Sequence, residues 1–163
     1  MNWGLIMTII VLPGNVVVFI PAAILWISKR LGYSPKFAAP GQFLFWFAIL
    51  GAGIGLFFSI WTATLFMKFG KGTPAPWDPP KKLVIRGPYC YVRNPMIISV
   101  LFMLLAEALL FHSWPIAAWL MVFFIGNSIY FPLVEEKSLE KRFGDDYREY
   151  KAHVRRWIPR LRP

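Results

Sequence analysis

Uncharged stretches dominate the pattern of this chain. Residues 1–28 and 41–67 contain no Asp, Glu, Lys or Arg, and from Asn94 to Val134 the only such residue is Glu107. A run of about 20 apolar residues crosses the hydrocarbon core of a bilayer, whereas a soluble core helix is usually shorter. Lipid offers no hydrogen bonds, so each span must be a helix. The pattern predicts an all-α integral membrane protein with four transmembrane helices, at residues 3–27, 43–67, 95–111 and 115–134. The first span has no charged start and is too long for the apolar part of a secretion signal. Pro13, Gly14 and Pro21 predict kinks in it. Only His112, Ser113 and Trp114 separate the third span from the fourth, which predicts a tight antiparallel hairpin.

The pattern changes after Val134. Glu135 and Glu136 are the first charges after the fourth span, and Leu139, Phe143, Tyr147, Tyr150 and Val154 then recur at steps of three and four. That spacing draws one apolar stripe along a helix whose other faces carry Lys and Arg. Gly144 followed by Asp145 predicts a stop and a new N-cap, hence two amphipathic surface helices able to roof a cavity.

Charge adds orientation. Of 18 basic residues, three lie between spans one and two, six between spans two and three, and nine after span four. The positive-inside rule places both termini and the 68–93 loop in the cytoplasm. The net charge of +10 reads as topology plus attraction to anionic headgroups, with the bilayer as partner. No nucleic-acid module accompanies it, so nucleic acid is not an expected partner. Cys90 is the only cysteine and excludes a disulfide within the chain. His112 and His153 have no metal-ligand spacing, and no metal is expected. The oligomeric state is left open.

The chain length of 163 residues suits one domain. Its polar chemistry collects on the cytoplasmic side, in a Pro-rich loop, at the start of span three and at Glu135 and Glu136. The sequence RGPYCYVRNPM, residues 86–96, stands at the entrance of span three. Asn94 is a good N-cap, and Pro95 fits a first helical turn where its missing N–H costs nothing. Together these predict a polar pocket at the membrane edge, open to lipid on one side, where a charged water-soluble co-substrate can meet a lipophilic acceptor.

The run GPYCYVRNPM, then a hairpin, EEKSLEKRFGDDYREY and VRRWIP resembles the isoprenylcysteine carboxyl methyltransferase family and its bacterial members, related to phospholipid methyltransferases. The match covers residues 70–160, with 1–69 contributing two N-terminal membrane helices. The resemblance implies S-adenosylmethionine as co-substrate. It implies cofactor contacts at Leu83, Val84, Tyr89, Asn94, Pro95, Met96, Ile97, Glu135 and Glu136, and a catalytic role for Arg93. Three positions depart from the eukaryotic pattern. Asn94 replaces a histidine, Ile97 replaces a tyrosine, and Phe131 stands where an arginine faces the substrate carboxylate. Phe131 therefore predicts an acceptor side suited to a neutral or cationic lipophile rather than a prenylcysteine carboxylate.

Plainer readings stand beside these. Glu135 and Glu136 are also what a helix shows on leaving a membrane; Tyr89 and Tyr91 suit an interface belt; Arg93 can reach lipid phosphates. Glu107 sits far from the pocket and His112 in the outer hairpin. The expected function is a membrane-embedded methyltransferase, with a phospholipid headgroup N-methyltransferase or a non-catalytic lipid-binding module as alternatives.

Overall fold

The computed structural model describes residues 10–33, 35–71 and 80–160. The start of the first predicted span and residues 72–79 of the Pro-rich loop lie outside the described residues. Among those described, the chain is all helical, without strands. It forms two units, Met1–Phe57 with Ser99–Phe124, and Phe58–Ile98 with Ile125–Pro163.

In the first unit, Ile10–Phe19 winds with the wider π pitch around Pro13 and passes into helix α1, Ile20–Arg30. Phe19 keeps helical dihedrals, so the two pieces are one continuous helix whose pitch changes. A proline in a helix removes one hydrogen bond and crowds the preceding turn, and a wider pitch relieves both. Helix α2 is Phe43–Leu65 and α3 is Pro95–Leu110. Gly55 permits their approach: a Cβ there would lie 2.8 Å from the Ser99 carbonyl oxygen and 2.7 Å from Met103 Cγ. The ends of α1 and α3 close alike. The Tyr33 amide donates to the Ser28 carbonyl after α1, and the Ser113 amide to the Ala108 carbonyl after α3. This turn needs one left-handed residue. Gly32 supplies it after α1, whereas after α3 it is His112, at φ 44°. Trp114 already belongs to helix α4, Trp114–Tyr130, so the connection keeps three residues but shifts by one position, to Phe111, His112 and Ser113.

The second unit begins within the helix that contains α2, which continues through the wider turn Phe66–Gly70. It also holds the end of α4, which does not stop at the predicted membrane exit. Pro132 falls in a π-wound segment, Phe131–Glu135, and the helix runs on as α5, Glu136–Phe143. The whole rod, Trp114–Phe143, has 30 residues and is about 45 Å long. Glu135 lies about 32 Å along it, just beyond a hydrocarbon core of about 30 Å.

Phe43–Gly70 and Trp114–Phe143 are long and apolar enough to cross a membrane, and only 11% and 6% of their apolar windows are buried inside the protein. The core helix of a soluble protein would be mostly buried. Pro95–Leu110 is equally apolar in character but shorter.

Candidate functional site

Every residue expected at the site falls in the second unit. The approach to it is a loop fixed at three points. Gly70 accepts hydrogen bonds from the Lys81 and Lys82 amides at 2.7 and 3.2 Å. The Arg142 guanidinium donates to the Pro80 carbonyl. Gly87, at φ 57°, opens a short 3₁₀ turn, Gly87–Cys90, and a Cβ there would stand 3.1 Å from both Leu65 Cδ1 and Trp61 Cζ2. Only glycine meets the backbone angle and the close approach together.

Two apolar clusters hold this loop. Val84 and Tyr89 pack with Leu65 and Phe66. Leu83 packs against a buried cluster of Tyr147, Tyr150 and Val154, which Leu139 and Phe143 also join, so the cluster holds the whole predicted apolar stripe. The stripe therefore packs against the loop. Its helices are α5 and α6, Asp145–His153. Gly144 ends one and caps the next; Asp145 is inside α6 and pairs with Arg148 at 2.8 Å rather than serving as the cap. The Tyr150 hydroxyl donates to the Tyr89 carbonyl at 2.7 Å. Burial, then the neighbouring Tyr147, raises the Tyr150 pKa, so this donor stays protonated.

The C-terminal segment completes the enclosure. The Arg93 amide donates to the Arg155 carbonyl at 2.9 Å, the Arg160 amide to the Tyr91 carbonyl at 2.9 Å, and Arg160 Nε to the Cys90 carbonyl at 2.7 Å. The tail thus lies along residues 90–93. Phe131, the expected acceptor-facing position, has its ring 6.4 Å from that of Trp157 in the same tail.

Glu135 and Glu136 differ sharply. Glu136 is 3% exposed. Its Oε1 takes Arg93 Nη1 at 3.0 Å and Arg156 Nη2 at 2.6 Å, and its Oε2 takes Lys151 Nζ at 3.1 Å. Glu135 is half-buried and has no ion pair among the described residues. The expected cofactor contact at Glu136 has to be set beside a carboxylate already shared by three cations, whereas Glu135 has acceptor capacity left. Arg93 and Asn94 carry the complementary feature. Among the described residues, the buried Arg93 Nε and Asn94 Nδ2 have no hydrogen-bond partner. Asn94 precedes α3, and its carbonyl accepts from the Ile98 amide at 3.1 Å. Pro95 is buried in the first turn of α3, with Met96 and Ile97 half-buried beside it.

The phospholipid methyltransferase family matches residues 43–146. The chain belongs to this family. Membership implies a membrane methyltransferase. An uncharacterised protein of Haemophilus influenzae is 42% identical over 65 residues, which are 39% of this chain and the whole of that protein. No solved structure matches the chain.

Sequence reasoning missed the partners of the expected residues. Lys151, Arg156 and Arg160 looked like solvated charges on a basic tail. Nothing in local spacing shows that Arg156 reaches a carboxylate twenty positions earlier. The signal available was compositional: a buried-looking glutamate pair in a strongly basic region needs cations from somewhere.

Proposed function

We propose that the chain is an S-adenosylmethionine-dependent methyltransferase that acts from within the membrane on a lipophilic acceptor. The observation that carries this reading is the division of labour between Glu135 and Glu136. A half-buried carboxylate without an ion pair stands next to one that anchors the surrounding elements. S-adenosylmethionine would bring a methyl group already activated on a sulfonium, so the protein's task is alignment and exclusion of water. Glu135 would accept charge-assisted hydrogen bonds from the amino group or ribose hydroxyls. The positive end of the helix dipole at the start of α3 favours an anionic group. Leu83, Val84, Tyr89, Pro95, Met96 and Ile97 would form the apolar wall.

The finer topology is part of the same proposal: four spans, with the site and both termini cytoplasmic, in a bacterial inner membrane. It is supported by 15 of 18 basic residues falling on one side. A headgroup N-methyltransferase is the second reading, favoured by the description of the family.

Two measurements test the proposal. The purified chain should bind labelled S-adenosylmethionine, and expressing cells should contain a lipophilic species heavier by one methyl group. A chain that binds no S-adenosylmethionine would leave the lipid-binding module as the better account.

A further inference from the structure

Helices α1 and α3 end in the same turn with different residues. After α1, the Gly32 amide donates to the Lys29 carbonyl and the Tyr33 amide to the Ser28 carbonyl. After α3, in the same register, the His112 amide donates to the Leu109 carbonyl and the Ser113 amide to the Ala108 carbonyl. In this turn the residue after the left-handed one packs back on the last full turn of its helix, and that pair is commonly apolar. At α1 the paired positions hold Tyr33 and Ile27, and glycine takes the left-handed position. At α3 they hold Ser113 and Glu107, and His112 takes the left-handed position at φ 44°. A residue with a Cβ is disfavoured there, whereas glycine is not.

Among the described residues, none of the buried atoms Glu107 Oε2, His112 Nδ1 and Ser113 Oγ has a hydrogen-bond partner. Ser113 is 2% exposed. It stands before α4, where a serine hydroxyl ordinarily caps the helix, yet its Oγ makes no such bond. Glu107 forms no ion pair among the described residues. The turn thus gathers a carboxylate oxygen, an imidazole nitrogen and a hydroxyl at the negative end of a 16-residue helix. All three carry lone pairs, and buried polar atoms are seldom left unsatisfied.

We propose that Glu107, His112 and Ser113 bind a divalent transition-metal ion of the zinc class. An imidazole nitrogen beside a carboxylate oxygen suits such an ion, whereas magnesium and calcium prefer oxygen alone. No third His, Cys, Asp or Glu joins the group among the described residues, so the Ser113 hydroxyl and water complete the shell and the ion is exchangeable. The ion fastens the turn to which the connection between α1 and α2 is tied. From that connection the Tyr33 hydroxyl donates to the His112 carbonyl at 2.9 Å, and the Ala38 amide donates to the Leu110 carbonyl at 2.7 Å. The site lies at the other end of α3 from Arg93 and Asn94, and it does not depend on the methyltransferase reading.

The test uses the full chain in detergent after treatment with a chelator. Calorimetry compares zinc with magnesium, and thermal unfolding is followed with and without zinc. The wild type should bind zinc saturably, at least about tenfold more tightly than magnesium, and should unfold at a higher temperature when loaded. Glu107→Gln and His112→Gly should each weaken zinc binding by at least about tenfold and abolish the thermal shift. His112→Gly should not lower the unfolding temperature of the metal-free chain, because glycine accepts the left-handed angle, as Gly32 does after α1. His153→Ala, at the exposed histidine of α6, should bind zinc like the wild type. A wild type that binds no zinc would overturn the proposal. So would equal affinity for the two ions, since the imidazole would then take no part. Zinc binding that survives both Glu107→Gln and His112→Gly, or that is lost in His153→Ala, would place the ion elsewhere and end the proposal as well.

Discussion

The hydroxyl of Tyr150 reaches across from the last helix to the backbone carbonyl of Tyr89, at 2.7 Å, in a buried position. It ties the amphipathic tail to the turn that precedes α3. Tyr150→Phe leaves the carbonyl without that donor, and should cost roughly 1–3 kcal/mol. Thermal unfolding in detergent checks it. Because burial raises the Tyr150 pKa, the protonated hydroxyl is the form the fold favours. Its contribution is complete below the unfolded tyrosine pKa of about 10, and is lost as pH rises through the higher folded value. The wild-type and Tyr150→Phe unfolding temperatures should therefore differ by a constant amount between about pH 6 and 9. A gap that closes within that range would mean the hydroxyl is not the stabilising donor.

Glu136 serves three cations at once, and its loss should matter more than the loss of any one of them. Removing one partner of a buried ion pair costs about 3–5 kcal/mol, because the charge left behind has no compensation. Glu136→Ala should approach that figure. Lys151→Ala should cost far less, since Lys151 is 40% exposed and shares itself with Glu140. Chemical denaturation of both variants decides the order. Equal losses would show that the cluster is screened by water and does not organise the site.

Glu135→Gln should behave in the opposite way. The residue has no ion pair to lose, so stability should hardly change. Binding of S-adenosylmethionine should weaken by roughly 1.5–3 kcal/mol, the value for a hydrogen bond to a charged group. Calorimetry and unfolding on the same preparation separate the two effects. Intact binding in this variant would remove Glu135 from the cofactor site.

These contrasts explain what was legible in the sequence. The charge-free stretches announced helices and a membrane because their signal is local and long. The stripe from Leu139 to Val154 was legible for the same reason, and all five of its residues pack together. Its partner was not, because Leu83 lies more than fifty positions away and has no periodic signature of its own. Hydropathy did not show where the fourth helix ends. The charges at 135 and 136 end the apolar run, whereas the backbone hydrogen bonds continue through the π-wound turn at Pro132 to Phe143. The division between Glu135 and Glu136 was hidden too, since it depends on which helix face Arg93, Lys151 and Arg156 reach.

The membrane topology has its own test. Reporter fusions after residues 38 and 75 should report opposite faces, with the second cytoplasmic. The expectation rests on six basic residues between spans two and three and nine after span four. Both reporters on one side would leave the chain with a different number of spans between them.

The acceptor is the last point. A prenylcysteine carboxylate needs a cation where it meets the pocket. At the position expected to supply one, Phe131 instead turns its ring toward Trp157 and Tyr130, at 6.4 and 6.1 Å between centroids. Burying a carboxylate against that aromatic group without a partner would cost several kcal/mol. Arg93 and Arg156 are the arginines of the site, and both are held by Glu136. A radiolabel assay run side by side on a farnesylcysteine analogue and a bacterial phospholipid extract should therefore label the extract and leave the analogue nearly untouched. Phe131→Arg should raise labelling of the analogue and disturb the contact with Trp157, visible as a change in tryptophan fluorescence. Strong labelling of the analogue by the wild type would mean that a cation of the Glu136 cluster accepts carboxylates, and that Phe131 does not set the acceptor class.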